Sequence, residues 1–171
     1  MKHHLGYSLT LAAMLAAAAP TQAREYFVGG PVHRNDMEIV ANYLIGIEMA
    51  PMTSMVHGAD VIHLEADVHA TADNVYGFPD GAWVPYLTID YRLEKLGSDW
   101  HAEGVLRPMT AKDGPHYAEN VKMNGPGKYK LTYRFHPPAG SNFFRHVDQE
   151  TGVPEWWQPF SEEFTFDYPQ R

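Results

Sequence analysis

Residues 60–70 read Asp-Val-Ile-His-Leu-Glu-Ala-Asp-Val-His-Ala, and apolar and polar side chains alternate along this segment. Alternation with a period of two is typical of a β-strand that buries one face. The apolar face would comprise Ile62, Leu64, Ala66, Val68 and Ala70. The opposite face carries four side chains that can bind metal ions, namely His63, Glu65, Asp67 and His69. The segment therefore predicts both a strand and a candidate metal site.

The same alternation recurs along the chain and predicts an all-β fold. Further strands are expected at residues 37–49, 87–93, 129–135 and 164–168, with shorter ones near 25–28 and 102–107. Turn-forming residues separate these runs at 29–31, 77–81, 124–127 and 137–140. About seven strands in a chain of this size favour an immunoglobulin-like antiparallel β-sandwich. A closed barrel is the alternative.

The N-terminal 23 residues have the layout of a secretory signal peptide. Lys2 provides a positive start, residues 9–19 form an apolar run, and residues 20–23 supply a helix breaker and small residues for cleavage. The run is shorter than the roughly 20 residues that a membrane span needs. We therefore expect a signal peptide at 1–23 and a single secreted domain at 24–171. Because no cysteine follows the apolar run, we expect no lipid anchor.

The charge balance and the absence of cysteine restrict the function. The chain contains 13 basic and 21 acidic residues, and only Lys2 among them lies in the leader, so the mature chain carries a formal charge of −9. This balance argues against nucleic-acid binding, which depends on basic patches, and favours attraction of cations. Without thiolates, a bound metal must be held by histidine, methionine and carboxylate ligands.

Three clusters offer such ligands. His63 and Glu65 would lie about 7 Å apart on one side of a strand, so both could reach one ion. Met109 and His116 flank an Asp-Gly-Pro turn, and a thioether with an imidazole suits copper or low-valent iron. His146 lies in a loop before the last strand. The alternatives are a solvated charged strand face, core packing of the methionine and a solvated loop histidine.

Two other stretches are weaker candidates. Glu48 and Met49, in a methionine-rich stretch, could form a second metal site, with packing as the alternative. The pair Trp156-Trp157 predicts a hydrophobic plug or interface patch, with a carbohydrate platform as the alternative. The sequence contains no Gly-rich phosphate loop, nucleophile elbow or His-Glu-x-x-His helix, so no catalytic residue is assigned.

Taken together, residues from about 25 to 168 resemble the periplasmic high-affinity iron-transport proteins. These are copper- and iron-binding proteins of roughly nineteen kilodaltons that are encoded beside iron permeases in Gram-negative bacteria. The matching stretches occur in the family's order at Arg34–Ile39, His63–Ala70, Trp83–Ile89, Asp113–Tyr117, Gly127–Tyr133, Arg145–Val153 and Trp156–Phe160.

The resemblance implies an immunoglobulin-like homodimer with a metal site near the dimer interface. The metal ligands it implies are His63, Glu65, Met109, His116 and His146. It also implies a second iron site at Glu48 and the nearby methionines, although that segment is richer in methionine than the family pattern.

The function expected from this resemblance is capture of iron or copper ions in the periplasm and delivery to an inner-membrane iron permease. Because histidine ligands must be neutral, the affinity should fall as the pH drops through roughly 6.5. The alternatives are a copper-dependent ferroxidase, and a metal-free sandwich for adhesion or carbohydrate binding.

Overall fold

The computed structural model describes residues 24–51, 55–140 and 143–170, and it contains eight β-strands in that part of the chain. The strands are β1 (Glu25–Arg34), β2 (Met37–Leu44), β3 (Val61–Ala70), β4 (Thr88–Lys95), β5 (His101–Ala111), β6 (Gly114–Lys122), β7 (Gly127–His136) and β8 (Phe160–Tyr168). The signal peptide expected at 1–23 lies outside the described residues. No helix in the described ranges is long and apolar enough to cross a membrane.

All neighbouring strands are antiparallel, in the order β1-β2-β3-β6-β5-β4-β7-β8. Strand β5 belongs to both layers, because His101–Leu106 pairs with β4 whereas Arg107–Ala111 pairs with β6. The sheet therefore folds over along β5 into two packed layers, and its end strands β1 and β8 come into contact. The all-β prediction is confirmed, with one more strand than the seven expected.

The core lies between the two layers and is built from the apolar faces that the alternation predicted. Ile39 and Tyr43 of β2, Leu64 of β3, and Leu131 and Phe135 of β7 are fully buried there. At about 25 cal/mol per Å² of apolar surface removed from water, burial of these faces is the main force that joins the layers. The core in turn orients the opposite face of β3 outward.

The strand prediction differs from the structure at several points, and the turn expected at 29–31 lies inside β1. The run expected at 37–49 ends as a strand at Leu44, because residues 45–51 leave the sheet. Strand β6 was not predicted at all. Its turn is a two-residue loop at Lys112 and Asp113, followed by Gly114 with a φ of 141°, which favours glycine. This turn folds β6 back along β5.

Aromatic side chains pack the segment before β8 against the loops that follow β3. Phe143 stacks on Tyr86 at 4.7 Å between ring centroids and on Trp156 at 6.2 Å. Trp156 in turn stacks on Tyr76 at 5.4 Å, and Trp157 is buried. The tryptophan pair is therefore packed, in keeping with the hydrophobic plug and against an open carbohydrate platform.

Candidate metal site

The polar face of β3 lies on the outer side of its layer, yet it is not solvated. His63 is 4 % exposed and Glu65 is 8 % exposed, although both point away from the core. Val56 lies near this face beside His63, because Asn120, which contacts His63, donates a side-chain hydrogen bond to the carbonyl of Val56 at 2.9 Å. The solvated charged face is therefore wrong for these two residues.

The register of three adjacent strands brings four predicted ligands together. His63 pairs with Asn120 and Glu65 pairs with Ala118 across β3 and β6. His116, two residues before Ala118, therefore lies on the same face as Glu65. Met109 of β5 is directly opposite His116. Residues that oppose each other across strands have Cβ atoms about 5 Å apart. The thioether of Met109 and the imidazole of His116 are therefore neighbours.

Direct contacts link these side chains. The Nδ1 atom of His116 lies 3.0 Å from an Oε1 atom of Glu65, and both side chains are about one-tenth exposed. The rings of His63 and His116 are nearly perpendicular, with centroids 5.9 Å apart. The Nδ1 atom of His63 lies 2.8 Å from Oδ1 of Asn120. His116 therefore lies between Glu65 and His63, in contact with both.

These side chains line a cavity of about 760 Å³ on the surface of the β3–β6–β5 layer. Its other ionisable lining residues are Glu25, Glu48, Asp67, His69 and Asp113. Met49 also lines this cavity, so the two residues expected to form a second site share one cavity with the first. A cavity that collects carboxyl groups without a lysine or arginine in its lining suits a cation.

Burial controls the protonation of the cavity residues. It raises the pKa of Glu65 to about 8, and the nearby carboxyl groups of Asp67, Glu25 and Asp113 add to the effect. Burial also raises the pKa of Asp67, which His69 and a hydrogen bond from Asn42 oppose.

For the imidazoles, burial lowers the pKa of His63, against a hydrogen bond with Asn120 that raises it. It likewise lowers the pKa of His116, against a backbone hydrogen bond with Gly114. The contact between His116 and Glu65 is therefore a hydrogen bond between neutral groups near pH 7 rather than an ion pair. Neutral imidazoles offer a lone pair to a metal, and competition from protons is moved below the pH of 6.5 expected from the sequence.

Within residues 24–51, 55–140 and 143–170, no group of three or more histidine or carboxylate side chains is placed so that it could hold a metal ion. The donors brought together by β3, β6 and β5 are two imidazoles, one carboxyl group and one thioether. Such a mixed set suits an ion between soft and hard, such as copper or iron.

His146 does not line this cavity. It lies in the segment between β7 and β8, where its side chain is 72 % exposed. Its Nδ1 atom lies 2.7 Å from the hydroxyl of Thr151, which donates to Asp148 at 2.7 Å. Arg145 beside it donates a hydrogen bond to the carbonyl of Val153 at 3.1 Å. The fifth predicted ligand therefore lies outside the cavity that the other four line in a single chain.

Sequence reasoning missed several residues around the site. Asn120, 7 % exposed on the polar face of β6, was not considered because β6 itself was not predicted. Glu25 and Asp113 reach the cavity from β1 and from the β5–β6 turn.

Comparisons with known proteins show which family the chain belongs to. Residues 22–169 match the family described as Fe²⁺ transport protein. A UPF0423 protein of Brucella abortus is 47% identical over 158 residues, which cover 90% of this chain and 87% of the relative.

Two crystal structures share the fold and much of the sequence. Copper-reconstituted P19 of Campylobacter jejuni superposes with a TM-score of 0.81 at 44% identity, over 85% of this chain and 97% of P19. FetP of uropathogenic Escherichia coli strain F11, expressed in the periplasm, superposes with a TM-score of 0.80 at 46% identity, over 85% of this chain and 96% of FetP. The chain belongs to the Fe²⁺ transport protein family.

Proposed function

We propose that this protein captures copper and iron ions in the periplasm and delivers iron to an inner-membrane permease as part of high-affinity uptake. The observation that carries the proposal is the convergence of His63, Glu65, Met109 and His116 on one cavity with carboxyl groups around it. Membership in the Fe²⁺ transport protein family and the likeness to copper-reconstituted P19 support it.

The donor set explains why both metals suit the site. The thioether of Met109 favours Cu(I), whereas the carboxyl groups of Glu65, Asp67 and Glu48 favour harder iron ions. An ion that moves between the soft and hard parts of one cavity would stay bound in both oxidation states. Glu48 and Met49 form the second site of this proposal, at the rim of the same cavity.

His146 completes the site from a second copy of the chain. Its imidazole is exposed, it lies outside the cavity of its own chain, and it is flanked by Phe144 and Val147, which are 87 % and 75 % exposed. Exposed apolar side chains on both sides of a metal-binding residue are typical of a contact surface. A symmetric homodimer would place this loop over the cavity of the partner.

The first test is calorimetric titration of the metal-free protein with Cu(II) and with Mn(II), the latter as a redox-stable stand-in for iron. We expect about one ion per chain. His116→Ala should abolish binding of both ions, whereas Met109→Leu should weaken copper and leave Mn(II) unchanged. His136→Ala is the matched control, because His136 pairs with Asp90 on the other layer. Unchanged binding in His116→Ala would contradict the proposed site.

Transport needs a cellular test. We propose that residues 1–23 are a signal peptide, so the protein recovered from the periplasm should begin near Arg24 by N-terminal sequencing.

A strain without the protein should grow poorly when iron is scarce. The wild-type chain should restore growth and His116→Ala should not. Equal restoration by both would remove metal capture as the reason for the growth defect.

A further inference from the structure

The histidines of the candidate site share one feature of their hydrogen bonding. His63, His116 and His146 each make their side-chain contact through Nδ1, with Asn120, Glu65 and Thr151 respectively. Two histidines outside the site make their contact through the other ring nitrogen, Nε2. His33 contacts Glu38 through Nε2 at 3.2 Å, and His136 contacts Asp90 through Nε2 at 2.8 Å. The site histidines are thus oriented with Nε2 away from their protein partners.

The direction of the hydrogen bond at His63 follows from its neighbours. The side-chain nitrogen of Asn120 donates to the carbonyl of Val56, so the amide oxygen is the atom that faces the imidazole. An amide oxygen only accepts hydrogen bonds. The Nδ1 atom of His63 must therefore carry the proton, and in the neutral ring Nε2 keeps its lone pair.

The same conclusion holds at His146 by a different route. The hydroxyl of Thr151 donates its one proton to Asp148, whose carboxylate also accepts from the backbone N–H of Thr151 at 2.9 Å and of Glu150 at 3.0 Å. A hydroxyl that has given up its proton to one partner can only accept from another. The Nδ1 atom of His146 therefore donates to Thr151, and Nε2 points its lone pair outward.

We propose that Asn120 and Thr151 are positioning residues that hold His63 and His146 in the Nδ1–H form, so that both imidazoles present Nε2 to the same ion. The metal part of this inference rests on the proposed function, whereas the protonation of the two rings does not. Partners on the second nitrogen fix both the tautomer and the ring orientation of metal-binding histidines. Asn120, in strand β6, and Thr151, in the loop before β8, thus both fix the tautomer of a neighbouring histidine.

The test is measurement of histidine tautomers by long-range ¹H–¹⁵N correlation spectra of the metal-free protein at pH 8, where imidazoles are neutral. His63 and His146 should both be in the Nδ1–H form. Asn120→Leu should shift only His63 toward the Nε2–H form, and Thr151→Val should shift only His146. Asn120→Asp and Thr151→Ser keep an acceptor oxygen and should retain the wild-type signals. His33 serves as the internal control in all four variants.

Copper affinity of the same variants supplies the second readout. Asn120→Leu and Thr151→Val should each weaken Cu(II) binding about 10- to 100-fold, the usual effect of removing such a partner. The conservative variants should bind within a few-fold of wild type. Because Thr151 lies in an exposed loop, Thr151→Val tests the inference even if Asn120→Leu fails to fold.

The outcomes separate the two proposals. An Nε2–H signal for His63 or His146 in the wild type would overturn the inference, and so would shifted tautomers with unchanged copper affinity. A wild-type protein that binds no copper would overturn the proposed function, while the spectra would still decide the tautomers.

Discussion

The cavity and the His146 loop hold their candidate metal ligands in different ways. His63 and His116 are 4 % and 6 % exposed and lie on adjacent strands, whereas the side chain of His146 is 72 % exposed. The hydrogen bond that orients His63 joins residues 57 positions apart in the sequence. The one that orients His146 spans five positions. One region depends on sheet register, and the other depends on a local turn.

This difference indicates how the two regions should respond to change. The cavity is part of the cooperative sheet, so its geometry should persist until the protein unfolds. The loop is held by a few exposed hydrogen bonds and by the stacking of Phe143 on Tyr86 and Trp156. We expect the cavity to bind an ion by itself and the loop to secure it.

The largest expected effect separates the two regions by ligand deletion. His63→Ala should weaken copper binding by more than about 100-fold, because loss of a ligand should exceed loss of a ligand's hydrogen-bond partner. His146→Ala should weaken it less, since the four cavity donors remain. Calorimetry of both variants beside His33→Ala, an exposed control, measures the difference. Equal losses in the two variants would break the distinction between cavity and loop.

The next effect concerns Glu65 and the pH dependence of stability without metal. Its pKa is raised to about 8 when folded, against 4.5 as the ordinary value, so the folded state binds the extra proton between these limits. The contribution of Glu65 to the free energy of unfolding should therefore be most favourable below pH 4.5. It should decrease as the pH rises toward 8.

Glu65→Gln should remove this fall and raise the free energy of unfolding at pH 8.5 by on the order of 2 kcal/mol, with little change at pH 4. Urea unfolding of the metal-free protein at both pH values measures this. Glu163→Gln is a control outside the cavity, because Glu163 lies on the outer face of β8 and its side chain is 61 % exposed. A wild-type and a Glu65→Gln protein with parallel pH profiles would show that burial does not govern this carboxyl group.

A smaller effect should appear on dilution if the loop acts on a second copy. Copper should then favour the dimer, and the copper affinity should fall toward that of His146→Ala as the protein is diluted. Sedimentation with and without copper measures the shift. Phe144→Ser with Val147→Ser should weaken the dimer and leave the metal-free fold intact, because both side chains are exposed. Copper binding that is independent of protein concentration would argue for a site within one chain.

The smallest effect is a change of local protection. In hydrogen exchange, amides of β3 and β6 should be slow with or without metal, because they belong to the paired sheet. Amides at residues 146–153 should exchange faster and should slow when copper is added. Loop amides that are unaffected by copper would remove His146 from the ligand set.

Much of the fold was predictable because it depends on alternation alone. The faces of β2, β3, β4, β7 and β8 were read from apolar residues two positions apart, and those residues form the core. Strand β6 was missed because its sequence, Gly-Pro-His-Tyr-Ala-Glu-Asn-Val-Lys, is buried on both faces near the cavity and so does not alternate. A strand with polar residues on a covered outer face lacks the pattern on which the prediction rests.

The composition and order of residues determined that this chain is a mostly β protein with histidine, methionine and carboxylate donors and no thiolates. Those properties are local, since each follows from side-chain chemistry and from spacings of a few residues. Tertiary structure decided which donors meet. The register between β3, β6 and β5 places Glu65 beside His116 and opposes Met109 to His116. It also leaves His146 apart, because pairing between distant strands is set by packing of the whole sheet and not by any one segment.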